Sequence, residues 1–295
     1  MVKSHLIIVP CHSLWKIDNG LEPGNYGQSF KHWFLAPFQH EGRDHLSFVM
    51  HSLLAINELL DDTEHSLLLF SGSCTKKEAG TVSEAQSYFL HARKLLNAVS
   101  YGFDLPLAFT SHEDIWKYCV LINKKMKSQS LTVDELFASH ISVEEFALDS
   151  LDNLLYSLVK FRSLTSNDAS RVTISGFGFK KTRFLELHAV AIDYRPSQIN
   201  YISYEPQPIS IDPKELEAYK QNLEHQEMNS ALIPFRADWY ATKSPLLDKK
   251  CQRNPFNLTP DYSLPFTRKE NIENDEAFFK STIEHKMPWS LGAQT

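Results

Sequence analysis

The chain has 295 residues, 42% of them hydrophobic, a formal net charge of −6 and a sequence pI near 6.1. That is enough apolar material for a sizeable core and excludes a disordered chain, while the acidic balance leaves no basic field for general nucleic-acid binding. The four cysteines, Cys11, Cys74, Cys119 and Cys251, stand far apart with no CxxC pair, which fits reduced thiols better than a disulfide frame or a zinc site.

The first element is the continuous apolar run His5-Leu-Ile-Ile-Val-Pro10. Such a run suits a strand buried on both faces, as in a parallel sheet. Its core, Leu6–Val9, is shorter than the ~7–15 residues of a signal-peptide core and far short of the ~20 that span a bilayer. No other stretch is long enough, so a cytoplasmic protein without a membrane partner is expected. Residues 14–44 carry Gly20, Pro23, Gly24, Gly27 and Pro37 and read as a long loop over the strand end.

A helix follows over Asp44–Leu60, where Leu46, Val49, Met50, Leu53, Leu54, Asn57 and Leu60 make one stripe at helical spacing. Ser66–Phe70 is a second buried strand. Ser83 opens the next helix with a capping box to Gln86, and that helix runs to about Ala98. Further helices are expected over Ser111–Lys125, Asp149–Leu164, Phe179–Ile192 and Asp212–Glu227, with strands over Ser139–Val143, Val172–Ser175 and Asn200–Tyr204. Pro213 suits the first position of its helix. From Pro234 onward, prolines and polar residues alternate with aromatics. The organisation is therefore an α/β domain over 1–233 and a Pro/aromatic-rich extension over 234–295 packed on it.

Strand–helix alternation along 5–227 argues an open, mostly parallel sheet. Ligands of such sheets bind beyond the carboxyl ends of the strands. The loops in that position begin at Cys11, Ser71, Glu144, Gly176 and Pro206, and they hold most of the polar clusters.

Ser71-Gly72-Ser73-Cys74-Thr75 leaves an apolar strand with small residues, so its backbone amides can face an anion, helped by the dipole of the following helix; a plain strand-to-loop turn is the alternative. No Gly-Lys-Ser/Thr follows, so it is not a phosphate-binding P-loop. Ser83 is explained by capping, whereas Glu84 can also point into the cleft as acid or base.

Glu145, Asp149 and Asn153 are four apart and share a face if their helix starts early. Clustered acids of this kind can hold a cation or pair a base with a group that orients it, with Ser150 beside them. Plain helix capping by Asp149 or Ser150 is the competing reading.

Gly176-Phe-Gly178-Phe-Lys180-Lys-Thr-Arg183 puts Lys180 and Arg183 in a helix's first turn, where the dipole disfavours cations. An anionic ligand explains that choice; two solvated surface cations are the alternative. The Gly-x-Gly lacks a third glycine and follows a late strand, so it is weak as a dinucleotide fingerprint. The thirteen histidines form no metal-binding pattern, and no metal site is expected. His12 stands apart because it directly follows the first strand. No Gly-x-Ser-x-Gly elbow occurs.

At these residues the chain resembles the domain-of-unknown-function 218 family, also called SanA/YdcF-like, and in particular its fungal branch. Ser71-Gly72, Glu84-Ala85, Glu145…Ser150-Leu-Asp-Asn153 and Phe179-Lys180-x-x-Arg183 match the family pattern. His5-Leu-Ile-Ile-Val with Cys11-His12, Phe38-Gln39-x-Glu41-Gly42, Arg183-Phe-Leu-Glu-Leu-His188 and Arg253-Asn-Pro-Phe256 match the fungal branch. Together they cover about residues 5–262. The resemblance implies a Rossmann-like, doubly wound fold with helices on both faces and implies no particular chemistry or cofactor. Two positions depart from the pattern: Ser73 replaces a second glycine, and Lys180 replaces the histidine of bacterial members. A lysine there keeps anion binding but does not shuttle protons near neutrality.

The expected function is enzyme-like binding of a small phosphorylated or nucleotide-type anion, with hydrolysis or group transfer as the reaction. Glu84, Glu145, Asp149 and His12 are the candidate catalytic groups. Ser71, Gly72, Ser73, Thr75, Ser150, Asn153, Lys180 and Arg183 are the candidate ligand contacts. A methyltransferase-like protein binding S-adenosylmethionine and a non-catalytic scaffold using the aromatic extension are the alternatives.

Overall fold

Five short runs pair as parallel strands in a computed structural model that describes residues 2–17, 24–210, 212–268 and 271–290. The loop-formers Gly20 and Pro23 lie outside those residues. The strands are β1 (His5–Pro10), β2 (Ser66–Ser71), β3 (Ile141–Glu144), β4 (Arg171–Gly176) and β5 (Ile199–Ser203), in the order β3-β2-β1-β4-β5. Every residue of β1 and β2 is buried, as their unbroken apolar character requires of central strands. Register is set by pairs such as Ile7 with Leu68 on one side and Ile7 with Thr173 on the other.

The α-helices among the described residues are α1 (Asp44–Leu59), α2 (Glu84–Tyr101), α3 (Leu107–Thr110), α4 (Glu113–Ser128), α5 (Val133–Ser139), α6 (Ser150–Thr165), α7 (Ala189–Ala191), α8 (Pro213–Glu227), α9 (Ile233–Ala237), α10 (Leu246–Gln252) and α11 (Asp275–Phe278). Strand alternation divides the core in two. Ile7, Val9, Leu68 and Phe70 face the layer of α1, α2, α4 and α5. Leu6, Ile8, Leu67, Leu69, Val172 and Ile174 face the layer of α6 and α7. The fold is thus α/β, Rossmann-like and doubly wound.

Three local findings differ from the expectations. The short helix α5 was not anticipated, although Thr132 and Glu135 form a complete capping box at its start. The helix expected over Phe179–Ile192 is instead a 3₁₀ turn (Gly178–Lys180), a π turn (Arg183–His188) and α7. The helix opened by Pro213 does not stop at Glu227. It continues through a π turn (Met228–Leu232) into α9. Pro234 lacks an N–H and in a regular helix would press on the carbonyl four residues earlier; the wider turn relieves that contact.

Beyond α9 the chain lays Tyr240, Phe266, Ile272, Ile283 and Met287 into the second core layer. Two cations pin it. Lys250 and Arg268 pair with Asp152 in the first turn of α6 at 2.7 and 2.6 Å. No helix among the described residues is long and apolar enough to cross a membrane. Strand order reverses between β1 and β4, which opens a crevice at their carboxyl ends.

Candidate functional site

That crevice is a cleft of about 640 Å³. The ends of β1, β2 and β4 contribute to it, whereas the loop that begins at Pro206 after β5 does not. Cys11 and His12 come from β1, Gly72 and Thr75 from β2, and Phe177, Phe179 and Lys180 from β4. The start of α6 adds Asp149, Ser150 and Asn153.

Lys180 is set by the turn that follows β4. The Gly178 N–H donates to Glu205 Oε1 at 2.6 Å, and a Cβ on Gly178 would sit 2.1 Å from that oxygen, so only glycine allows the approach. The Lys180 ammonium lies 3.3 Å from His12 Nδ1 and above the rings of Phe177 and Phe179, 5.2 and 5.7 Å from their centroids. It forms no ion pair among the described residues. Burial, with Arg183 and Arg253 nearby, lowers its pKa to about 7. His12 stacks on Phe177 with centroids 5.1 Å apart. Burial first, then Lys180, holds its imidazole well below the usual value, so the ring is neutral. Its Nδ1 accepts from the ammonium, which leaves the proton on Nε2.

Arg183 reaches the cleft but is already paired. Its Nε donates to Glu227 Oε1 at 2.6 Å and a second nitrogen meets Oε2, with the two side chains 14% and 4% exposed. Lys180 and Arg183 are therefore not the equal pair that their spacing suggested. A cation that the spacing did not single out is Arg253, just past α10. It lines the cleft, donates to the Leu148 carbonyl at 3.0 Å and has no acidic partner among the described residues. The signal for it was present in the Arg253-Asn-Pro-Phe256 motif.

The acids divide. Glu84 lines the cleft, is buried, and accepts from the Thr75 hydroxyl at 2.5 Å; burial raises its pKa. Gly72 lets it approach, since a Cβ there would lie 3.1 Å from both Glu84 and Cys11. Ser83 caps α2 through the Gln86 N–H. Asp149 also lines the cleft, but it caps α6 through the Asp152 N–H at 2.8 Å and lies 3.3 Å from Lys250. Burial opposes its charge, yet Lys250 and Arg268 outweigh that and hold the carboxyl below its usual range.

Glu145 does not line the cleft. The helix begins at Ser150, with Asp149 in an extended conformation, so no helical face joins Glu145 to Asp149 and Asn153. Glu145 instead accepts from the Ser83 hydroxyl at 2.7 Å. Its neighbour Glu144 is the buried acid, accepting from Ser71, the Phe146 N–H and Tyr262; burial raises it to about 7.

Ser71 and Ser73 are buried behind the cleft wall and do not line it. The amides of Gly72 and Ser73 donate to the carbonyls of Glu144 and Ala147, each at 3.0 Å. Two of the amides expected to face an anion are thus used inside the loop. Ser150 bonds His188 Nε2 at 2.7 Å, and Asn153 Nδ2 donates to the Asp149 carbonyl at 3.0 Å.

Asp44, at the start of α1, is the acid that sequence reasoning missed. It lines the cleft, and burial pushes its carboxyl up to about 7 against the pull of Lys180. No group of three or more metal-ligating side chains occurs among the described residues.

The chain is 44% identical to the uncharacterized protein YOR238W of Saccharomyces cerevisiae over 304 aligned positions, covering 99% of each chain. No family model matches it, and no solved structure does.

Proposed function

The chain belongs to the family of the yeast protein YOR238W, and for this member we propose binding of a small phosphorylated or nucleotide-type anion in the cleft over β1 and β4. One observation carries the reading: Lys180 sits half-buried in the cleft wall with no acid paired to it among the described residues, and Arg253 faces the same space with none either. Holding an unpaired ammonium in a partly dry site is costly, and an anionic ligand offsets that cost. The position at the strand-order reversal, where sheets of this kind bind ligands, agrees with it.

Hydrolysis or group transfer on the phosphorylated compound is the reaction class. Glu84 is the acid–base group, because its burial favours the protonated form and it lies on the same cleft. His12 is assigned to hold Lys180 and not to carry protons. Membership of the domain-of-unknown-function 218 family is part of the proposal. It is supported by the convergence of Gly72, Glu84, Asn153 and Arg183 on one cleft. A cytoplasmic location is supported by four cysteines that are all free, three of them buried.

The test is a thermal-shift panel of nucleotides, sugar phosphates, inorganic phosphate and S-adenosylmethionine, with and without divalent metal. A phosphorylated compound that stabilises the wild type but not Lys180→Ala supports the reading. A shift from S-adenosylmethionine alone, or from nothing in the panel, overturns it.

A further inference from the structure

The cleft holds acceptors as well as cations. Asp44 is 7% exposed and lines the cleft, and its Oδ1 has no hydrogen-bond partner among the described residues. Asn153 is 8% exposed; its Nδ2 is satisfied but its Oδ1 has no donor. They stand on different walls, one where α1 begins and the other in the first turn of α6. A buried acceptor left unpaired costs on the order of 1–3 kcal/mol, so native structures retain few without a reason.

Packing fixes Asp44 in this state. A Cβ on Gly42 would lie 2.1 Å from the Tyr219 hydroxyl and 2.7 Å from Asp44 Oδ1. Glycine thus lets the loop before α1 close on α8 beside the Asp44 carboxylate, on a residue that also lines the cleft. Lys180 is close enough to influence the carboxylate electrostatically but forms no ion pair with it. Acceptors without donors call for a ligand that brings its own N–H or O–H groups. The cations call for a phosphate on the same ligand.

We propose that Asp44 accepts hydrogen bonds from hydroxyl groups of the bound phosphate compound, so that the cleft selects a sugar phosphate, free or as the ribose of a nucleotide, over a hydroxyl-free phosphate. The inference rests on the anion-binding reading above and adds the substrate class to it. A site built to hydrogen-bond a hydroxyl rejects analogues that lack it, because the buried polar group is then left unpaired.

Titration calorimetry of the full chain with ribose 5-phosphate, ethyl phosphate, AMP and its 2′,3′-dideoxy analogue tests it. In the wild type, ribose 5-phosphate binds on the order of tenfold or more tighter than ethyl phosphate, or AMP does so over its dideoxy analogue. The arm that shows the preference separates a free sugar phosphate from a nucleotide. In Asp44→Ala the preference falls below about threefold, whatever the change in the affinity for ethyl phosphate itself. Asp44→Asn, which preserves the shape and one acceptor, gives an intermediate preference and provides the reading if the alanine variant does not fold. Equal affinities within both pairs in the wild type, or a preference that survives in both variants, overturn the inference. If ethyl phosphate binds in a Lys180-dependent way without any hydroxyl preference, this inference fails and the anion-binding reading stands. If none of the four compounds binds, both fail.

Discussion

The ammonium nitrogen of Lys180 lies 3.3 Å from Nδ1 of His12, and burial acts on both groups in the same direction. The imidazole is held neutral and accepts, while the ammonium is brought to about 7, where it exchanges its proton near neutrality. The charge that faces the cleft is therefore sensitive to pH in a range where most lysines are not.

The sign of that sensitivity follows. An anion binds the protonated lysine, so raising the pH above about 7 removes the binding form from the free protein. Sulfate keeps its charge across this range and is the suitable probe. Its affinity, measured by calorimetry from about pH 6 to about pH 9, should be flat at the low end. Above neutrality it should fall by up to about tenfold per pH unit. In Lys180→Met that dependence should be weaker, reduced to what the Asp44 carboxyl contributes as it charges near about 7 on the same cleft.

Asp44 gives a stability prediction of opposite character to a paired carboxylate. Its folded value near 7 lies above the unfolded value of ~3.9, so the folded state retains a proton that the unfolded state releases. Wild-type stability therefore falls as pH rises from about 4 through about 7, by at most about 4 kcal/mol at 1.36 kcal/mol per unit. Asp44→Asn lacks this loss. Urea denaturation should show the variant gaining on the wild type between about pH 5 and about pH 8.

The extension depends on Asp152. This residue is fully buried and pairs with Lys250 and Arg268, which are themselves only 11% and 13% exposed. Asp152→Ala leaves the nearly buried Arg268 without an acidic partner among the described residues and Lys250 with Asp149 alone, and should cost about 3–5 kcal/mol. Limited proteolysis should then cut first after Pro234, because the two closest ion pairs that pin the extension, those to Asp152, are gone.

Glu227 restrains Arg183. Glu227→Gln keeps the shape but removes the charge that neutralises the guanidinium. Sulfate affinity should rise severalfold, and stability should fall by about 1–3 kcal/mol because a buried, bidentate pair is weakened.

Where each acid stands was only partly legible in the sequence. The strands and long helices follow from apolar runs and three-and-four spacing, which are local signals, and β1, α1 and β2 lie within a residue or so of the expected spans. The site residues depend on distant chain. Asp44 reads as an ordinary acid at a helix start, favourable to the dipole; its burial comes from Tyr219 and Pro206, which meet the loop at Gly42. Arg183 reads as free until Glu227, 44 residues later, is brought beside it. Glu144 and Glu145 differ by one residue, and successive side chains of a strand point to opposite sides. Only the register of β3 against β2, with Glu144 opposite Ser71, decides which one is buried. Glu84, Lys180 and His12 were accessible because each directly follows a strand end or opens a helix on the carboxyl edge of the sheet.

The proposed function requires Lys180, which has no acidic partner among the described residues, to hold a phosphate. Titration of inorganic phosphate into the wild type and into Lys180→Met, near pH 6.5 and at low salt, tests it most directly. The account predicts saturable binding at one site in the wild type and a loss of tenfold or more in the variant, with both proteins equally folded. Binding of equal strength in both proteins, or none in the wild type, would contradict it.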